Sequence, residues 1–137
     1  MNRGFTLIEL VMVIVVLGIM AAVAIPVVGS FIQSSKTTAT KEEMKHLSEA
    51  LAGSDGHGSV GFQGDVGYLP SSLSDLVKKP DTIAAWNAFT HVGWNGPYID
   101  STAGDFRKDA WGQNYVYTPG SRTLQSNGSG SPITVTF

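Results

Sequence analysis

RGFTLIELVMVIVVLGIMAAVAIP, residues Arg3 to Pro26, decides how the rest of the chain is read. From Phe5 to Ile25 the stretch is apolar enough to sit in a membrane, yet it carries one acid, Glu9. As a helix this run is roughly 30 Å long, enough to cross the hydrocarbon of a bilayer. A secretory signal has a shorter apolar stretch followed by a small-residue cleavage site. MAAVA could pass for that site, but the run before it is long and helix-competent sequence continues beyond. A membrane-spanning helix is therefore the better reading, and Arg3 would hold its start on the cytoplasmic side. Glu9 then needs a reason. A carboxylate in a membrane segment costs a few kcal/mol on insertion scales and is usually paired or functional. The plain alternative is that Glu9, one turn from the edge, snorkels to the headgroups, although its side chain is short. A sharper reading supplies a partner. A cut after Gly4 would give Phe5 an ammonium, just over one turn from Glu9 and within reach of the Glu9 of a packed neighbour.

Working outward, the same helix is expected to continue to about Leu51. Met44, Leu47 and Leu51 recur at spacings of three and four and form one apolar face. Lys41, Glu42, Glu43, Lys45 and Glu49 form a solvated face, and Gly53 is a natural C-cap. The rod from Phe5 to Leu51 would measure roughly 70 Å. Its weakest part is GIMAAVAIP, because a glycine costs a helix about 1 kcal/mol and an interior proline about 3. Gly18 and Pro26 mark either a kink tolerated in lipid or a segment that loses its helical hydrogen bonds when the subunit leaves the bilayer.

Composition sets the remaining bounds. The chain has 137 residues, a size for one domain plus an anchor, with a formal charge of −2. That charge is not the basic footprint of a nucleic-acid binder. There is no cysteine, hence neither a disulfide frame nor a thiolate metal site. Residues 53–137 read as a small head. GSDGHGSVGFQGDVG, Gly53 to Gly67, is expected to be a loop, since six glycines fall in it. It follows a helix rather than a strand, so it is no phosphate loop, and Asp55 beside His57 makes no convincing metal site. GYLPSSLSDLVKKP predicts a turn and a short helix, capped by Ser71 or Ser72 with Asp75 in the first turn, and Leu73, Leu76 and Val77 inward. DTIAAWNAF predicts a further helical turn with Ile83, Trp86 and Phe89 inward. NYVYT, RTLQ and ITVTF read as strands, the first two joined by Pro119-Gly120. A small antiparallel sheet packed on the long helix, an α+β arrangement, is the economical fold.

The stretch GFTLIEL after a short basic leader resembles the processing site of type IV pilins and of the pseudopilins of type II secretion. Pro26 falls where that family has its proline. The resemblance implies the type IV pilin fold, with residues 1–4 as leader, 5–26 as transmembrane and filament-core segment, 27–52 as the amphipathic half of the same helix, and 53–137 as head. It implies cleavage between Gly4 and Phe5 by a prepilin peptidase that also N-methylates Phe5, and pairing of Glu9 with the Phe5 amino terminus of an adjacent subunit. It also implies melting of the helix around Gly18 and Pro26. GYLPSSLSDLVKKP, WNGPYI and DAWGQNYVYTPG resemble, in this order, the head of the major pseudopilin of type II secretion. Pro97, Tyr98, Asp109, Trp111, Gly112 and Tyr115 carry that likeness. The plain reading of Trp94, Tyr98, Trp111 and Tyr115 is that they fill a small core with their polar tips hydrogen-bonded, while Asp100 and Asp109 fix turns.

One departure stands out. In that family the loop after the Tyr-rich strand is aspartate-rich and holds calcium, which wants six to eight oxygens with carboxylates among them. Here Gly120 to Phe137 holds no Asp or Glu. Ser126, Asn127, Ser129 and carbonyls are the oxygens on offer, so the expectation is no metal and no other cofactor, with the terminal strand tying down the loop.

Catalysis finds little support. His46, His57 and His91 are scattered, and neither G-x-S-x-G nor H-E-x-x-H occurs. The expected function is structural: a filament subunit, foremost the major pseudopilin of a type II secretion system, with a surface pilus subunit for adhesion, motility or DNA uptake as the alternative. A membrane-anchored binding module or hydrolase is the distant one. By resemblance the partners are further copies of the chain, the prepilin peptidase, a membrane assembly platform, a cytoplasmic ATPase and minor pseudopilins, with no nucleic acid. The precursor would be a single-pass protein of the bacterial inner membrane with its leader in the cytoplasm. The assembled filament would be periplasmic or extracellular.

Overall fold

A computed structural model describes residues 4–54, 58, 60–102 and 104–137, with only the backbone for residues 24–26. The leader residues Met1 to Arg3, the Asp55 and His57 pair and the Pro26 side chain lie outside this description. The chain divides into two compact units, residues 1–35 and 36–137.

One helix, α1 (Leu7–Ala52), dominates the first unit and opens the second. In residues 7–35 its large apolar side chains point outward all round, from Val11 at 38% exposure to Leu7 at 82%. It is long and apolar enough to cross a membrane. The backbone is helical through Gly18 and residues 24–26. Among the described residues nothing beyond the helix's own backbone would meet a Cβ on Gly18 or Gly29, so no described neighbour requires either glycine.

In the second unit α1 turns amphipathic, as the spacing predicts. Met44, Leu47 and Leu51 are fully buried, and Thr40 extends their stripe by one turn. The helix ends at Gly53, whose φ of +90° lets its N–H bond to the Glu49 carbonyl at 2.8 Å. The glycine-rich stretch that follows is not all loop. Residues Gly61–Val66 form a short helix, α2, which buries Phe62 completely. Burial of one phenylalanine outweighs the poor helix propensity of the glycines around it. Gly61 sits so close to the end of α1 that a Cβ there would lie 2.3 Å from the Gly53 nitrogen. That close approach is the physical use of this glycine.

A 3₁₀ turn, Leu73–Leu76, follows. The Asp75 carboxylate accepts the N–H groups of Ser71 and Ser72 at 3.1 and 3.0 Å, so the expected cap is present. Leu73 and Leu76 face the core, whereas Val77 ends the turn and is half-buried. The expected helix at DTIAAWNAF does not form. Residues 84–94 make a narrow bridged loop instead, in which Ala85 pairs with Trp94 and Asn87 with Val92. Ile83 is buried and Trp86 half-buried, but Phe89 at the tip is 97% exposed. The Asn87 side chain accepts the N–H groups of Phe89 and Thr90. That local hydrogen bonding competes with a helix and wins.

Three short antiparallel strands complete the head: β1 (Val116–Thr118), β2 (Thr123–Ser126) and β3 (Ile133–Thr136), in that spatial order. Tyr117 pairs with Leu124, and Leu124 with Val135. Leu124 is fully buried in the core with Met44, Leu47, Leu51, Phe62 and Leu76. Pro119–Ser121 forms a 3₁₀ turn between β1 and β2.

Candidate functional site

The N-terminal constellation is built by helix initiation. Thr6 precedes α1, and its hydroxyl oxygen accepts the Glu9 N–H at 3.3 Å. In return the Glu9 carboxylate accepts the Thr6 N–H at 2.9 Å and its hydroxyl at 2.8 Å. This is a reciprocal capping box. It satisfies donors that every helix start leaves without a partner. Glu9, which seemed to lack a partner in its own segment, has one three residues away. The Thr-x-x-Glu spacing ahead of an apolar run was a legible signal for it. Gly4 and Phe5 lie just before this box, outside the helix, and among the described residues beyond its chain neighbours nothing packs on Gly4. The peptide bond between them is thus unencumbered by regular structure. Gly18 and Pro26 lie far down the same helix, in the half whose surface is bare.

The head residues singled out by sequence fall into three separate knots. The first gathers Pro97 and Tyr98. The Tyr98 hydroxyl donates to Asp65 at 3.0 Å and accepts the Asn95 N–H at 2.9 Å. Burial, with Asp65 beside it, pushes this phenol up to about 12. Its ring meets Phe62 and Trp94, while the Trp94 indole donates to the Asp75 carbonyl at 2.9 Å. The Gly96-Pro97 bond is cis. A Cβ on Gly96 would lie 2.6 Å from the Trp94 ring. This explains the residues of WNGPY by packing. Asp65, 3% exposed, is the member sequence reasoning missed. It sits among glycines in a stretch that reads as loop, with no pattern to mark it.

The second knot ties α1 to the start of β1. The buried Tyr115 donates to Glu43 at 2.8 Å. Burial raises the Glu43 carboxyl above its ordinary 4.5, against the lowering effect of that bond. One turn earlier, the Thr40 hydroxyl accepts the Ala110 N–H at 3.2 Å. Thr40 was readable as a member of the 40-44-47-51 stripe, and its polar role follows from burial.

The third knot is centred on Asp109, 5% exposed. One carboxylate oxygen accepts the N–H groups of Trp111 and Gln113 at 3.0 and 2.9 Å. The other accepts the Ser126 hydroxyl at 2.6 Å and the Gly128 N–H at 3.1 Å. Burial alone would raise the group, but the hydrogen bonds from Ser126, Gln113, Trp111 and Gly128 hold it below 3.8. Gly112, with φ +82°, lets the turn close through its N–H on the Asp109 carbonyl at 2.8 Å. Trp111 stands half-buried beside this turn rather than in the core. Asp100 plays a smaller version of the same part for Thr102.

Comparison with known proteins adds an independent line. Residues 1–25 match the family described as "Prokaryotic N-terminal methylation motif". Residues 27–130 match "Type II secretion system (T2SS), protein G". The chain belongs to the type II secretion system protein G family. Within this family it is 33% identical to the type II secretion system core protein G of Pseudomonas aeruginosa, over 88% of the chain and 77% of that protein. It is 31% identical to the core protein G of Xanthomonas campestris, over 85% of the chain and 68% of that protein. Likeness to the type IV major pilin protein PilA of Myxococcus xanthus reaches 39%, but over 50% of the chain and only 32% of the pilin's length. No solved structure matches the chain significantly. Membership of a pilin-like family fits the long N-terminal helix and the three-stranded antiparallel head sheet.

Proposed function

We propose that this chain is the main structural subunit of a type II secretion pseudopilus. It is made as a single-pass membrane precursor, cut between Gly4 and Phe5, methylated on Phe5 and polymerised through α1. The observation that carries this reading is a capped helix with a bare apolar surface, starting two residues after the Gly4-Phe5 bond, in a chain whose next hundred residues match protein G. A helix apolar on all sides needs lipid or other helices around it. The bilayer supplies the first surrounding and a filament core the second. Glu9 is the assembly residue. After cleavage the Phe5 ammonium directly precedes Thr6, so a neighbouring subunit can take over the carboxylate that Thr6 holds in the single chain. Gly18 and Pro26 make the segment between them the place where the helix yields during this transfer. The function is mechanical rather than catalytic, so the energy of extrusion comes from an ATPase and a membrane platform outside this chain.

A surface pilus is the second reading, favoured by the likeness to pilins. The greater coverage of the core protein G relatives supports the pseudopilus. The deciding experiment is the intact mass of the protein from its native membrane and from sheared filaments. Loss of Met1 to Gly4 plus one methyl group is the expected result. An uncut mass, or a cut after Ala24, would overturn the reading and bring a membrane-anchored module forward.

A further inference from the structure

We propose that the Asp109 carboxylate does the work of a metal ion in the head, latching the loop between β2 and β3 so that the fold needs no divalent cation. The likeness to the major pseudopilin implies calcium near this loop, and the donor set speaks against it. A carboxylate oxygen has two lone pairs to offer. Both oxygens of Asp109 already accept two hydrogen bonds each, from Trp111, Gln113, Ser126 and Gly128. Calcium would need six to eight oxygens, with negative charge among them. Residues 120–137 contain no carboxylate side chain. Glu43, which feels the charge of Asp109, is engaged by Tyr115. Among the described residues no three His, Cys, Asp or Glu side chains gather closely enough to hold a metal.

The latch also does geometrically what a bound ion would do. It joins the turn at 109–113 to Ser126, the last residue of β2, and to Gly128, two residues into the connecting loop. Ser126 pairs with Ile133, so the latch sits where β3 begins to return along β2. The fit leaves no room for a side chain. A Cβ on Gly128 would lie 2.5 Å from the Asp109 Oδ2 and 2.8 Å from the Trp111 Cβ. Glycine at 128 is thus demanded by the carboxylate, and the sequence supplies it in the SNGSG stretch, which otherwise reads as a featureless linker. The expectation that the terminal strand replaces the ion is therefore sharpened. The strand is held in turn, and its holder is Asp109.

The test uses the full chain in detergent micelles. Thermal unfolding of the head is followed by tryptophan near-UV circular dichroism, in chelator and in excess calcium chloride. Cleavage of residues 127–131 by a broad-specificity protease is followed in parallel. The wild-type melting temperature and loop protection are expected to be the same in both media. D109N, which replaces a four-way acceptor by a group that is half donor, is expected to lower the melting temperature and open the loop, with no recovery in calcium. Should D109N not fold, G128A keeps the carboxylate and is expected to expose the loop alone. A wild-type melting temperature raised by calcium, or a loop cut only in chelator, would overturn the proposal. So would a D109N or G128A loop that stays as protected as wild type. None of these readouts depends on whether the chain polymerises, so this proposal and the pseudopilus reading stand or fall separately.

Discussion

Residues 7–35 and residues 36–137 treat apolar side chains in opposite ways. In the first unit Leu7, Met12, Leu17, Met20 and Phe31 stand exposed on every side of one helix. In the second, the same helix turns Met44, Leu47 and Leu51 onto one face and covers them completely. The same secondary structure therefore answers to two surroundings. The head folds against itself, and its polar atoms are satisfied internally at Asp65, Glu43 and Asp109. Among the described residues the anchor has nothing of its own to pack on, and on the proposed reading what completes it comes from outside: lipid first, then copies of itself. Its only side-chain bond before residue 27 among those described is the Thr6–Glu9 box at the tip.

If that division holds, each unit can be broken without the other. The largest effect is expected from Glu9→Ala. Filaments in the sheared fraction should fall to background while the melting temperature of the head stays at the wild-type value. A wild-type yield of filaments would remove Glu9 from assembly. Next comes Leu47→Ala, which empties a fully buried site and should cost the head about 2–5 kcal/mol. Chemical denaturation followed by tryptophan fluorescence checks it, with membrane insertion of the precursor as the property that must not change.

Acid gives a smaller, graded effect. Asp109 is held below 3.8 in the folded head. Its contribution is therefore present above the unfolded value and is lost as pH falls through the folded one. Glu43 is shifted the other way, so its opposing contribution appears only as pH rises above 4.5. Asp105 is also lowered, to about 2, by its hydrogen bond with Arg107, but it faces solvent. The melting temperature should drop below pH about 4, and D109N should flatten that drop. An unchanged slope would assign the acid loss elsewhere. The smallest effect is expected from Phe89→Ser. A residue this exposed should alter head stability by less than about 0.5 kcal/mol, and a larger loss would mean that the loop tip is packed.

The parts legible in the sequence were those written as a pattern. The apolar run, the 44-47-51 stripe, the Gly53 stop and the three strands each carry a period or a cap that backbone geometry enforces. The parts that escaped depend on neighbours distant in sequence. Phe89 looks like a core residue because its spacing from Ile83 and Trp86 suits a helix, but Asn87 turns the chain first. The helix Gly61–Val66 hides among glycines because Phe62 finds its pocket only once α1 and the WNGPY segment are in place. Asp109 was readable as a turn former, but not as the holder of Gly128, which lies 19 residues on. Thr6 and Glu9 were the reverse case, a local signal overlooked because the acid drew attention as a charge rather than as a cap.

The way the head grips α1 has a mechanical consequence. A subunit drawn from the membrane by its helix feels tension along the helix axis. The head is fastened to that axis not only through the backbone at Gly53 but also by lateral bonds at Thr40 and Glu43, one turn apart. Pulling along the axis loads these bonds together in shear. Tension applied at the end of β3 would instead peel the sheet away one pair at a time. The grip therefore resists tension along the helix axis better than tension applied at the end of the sheet.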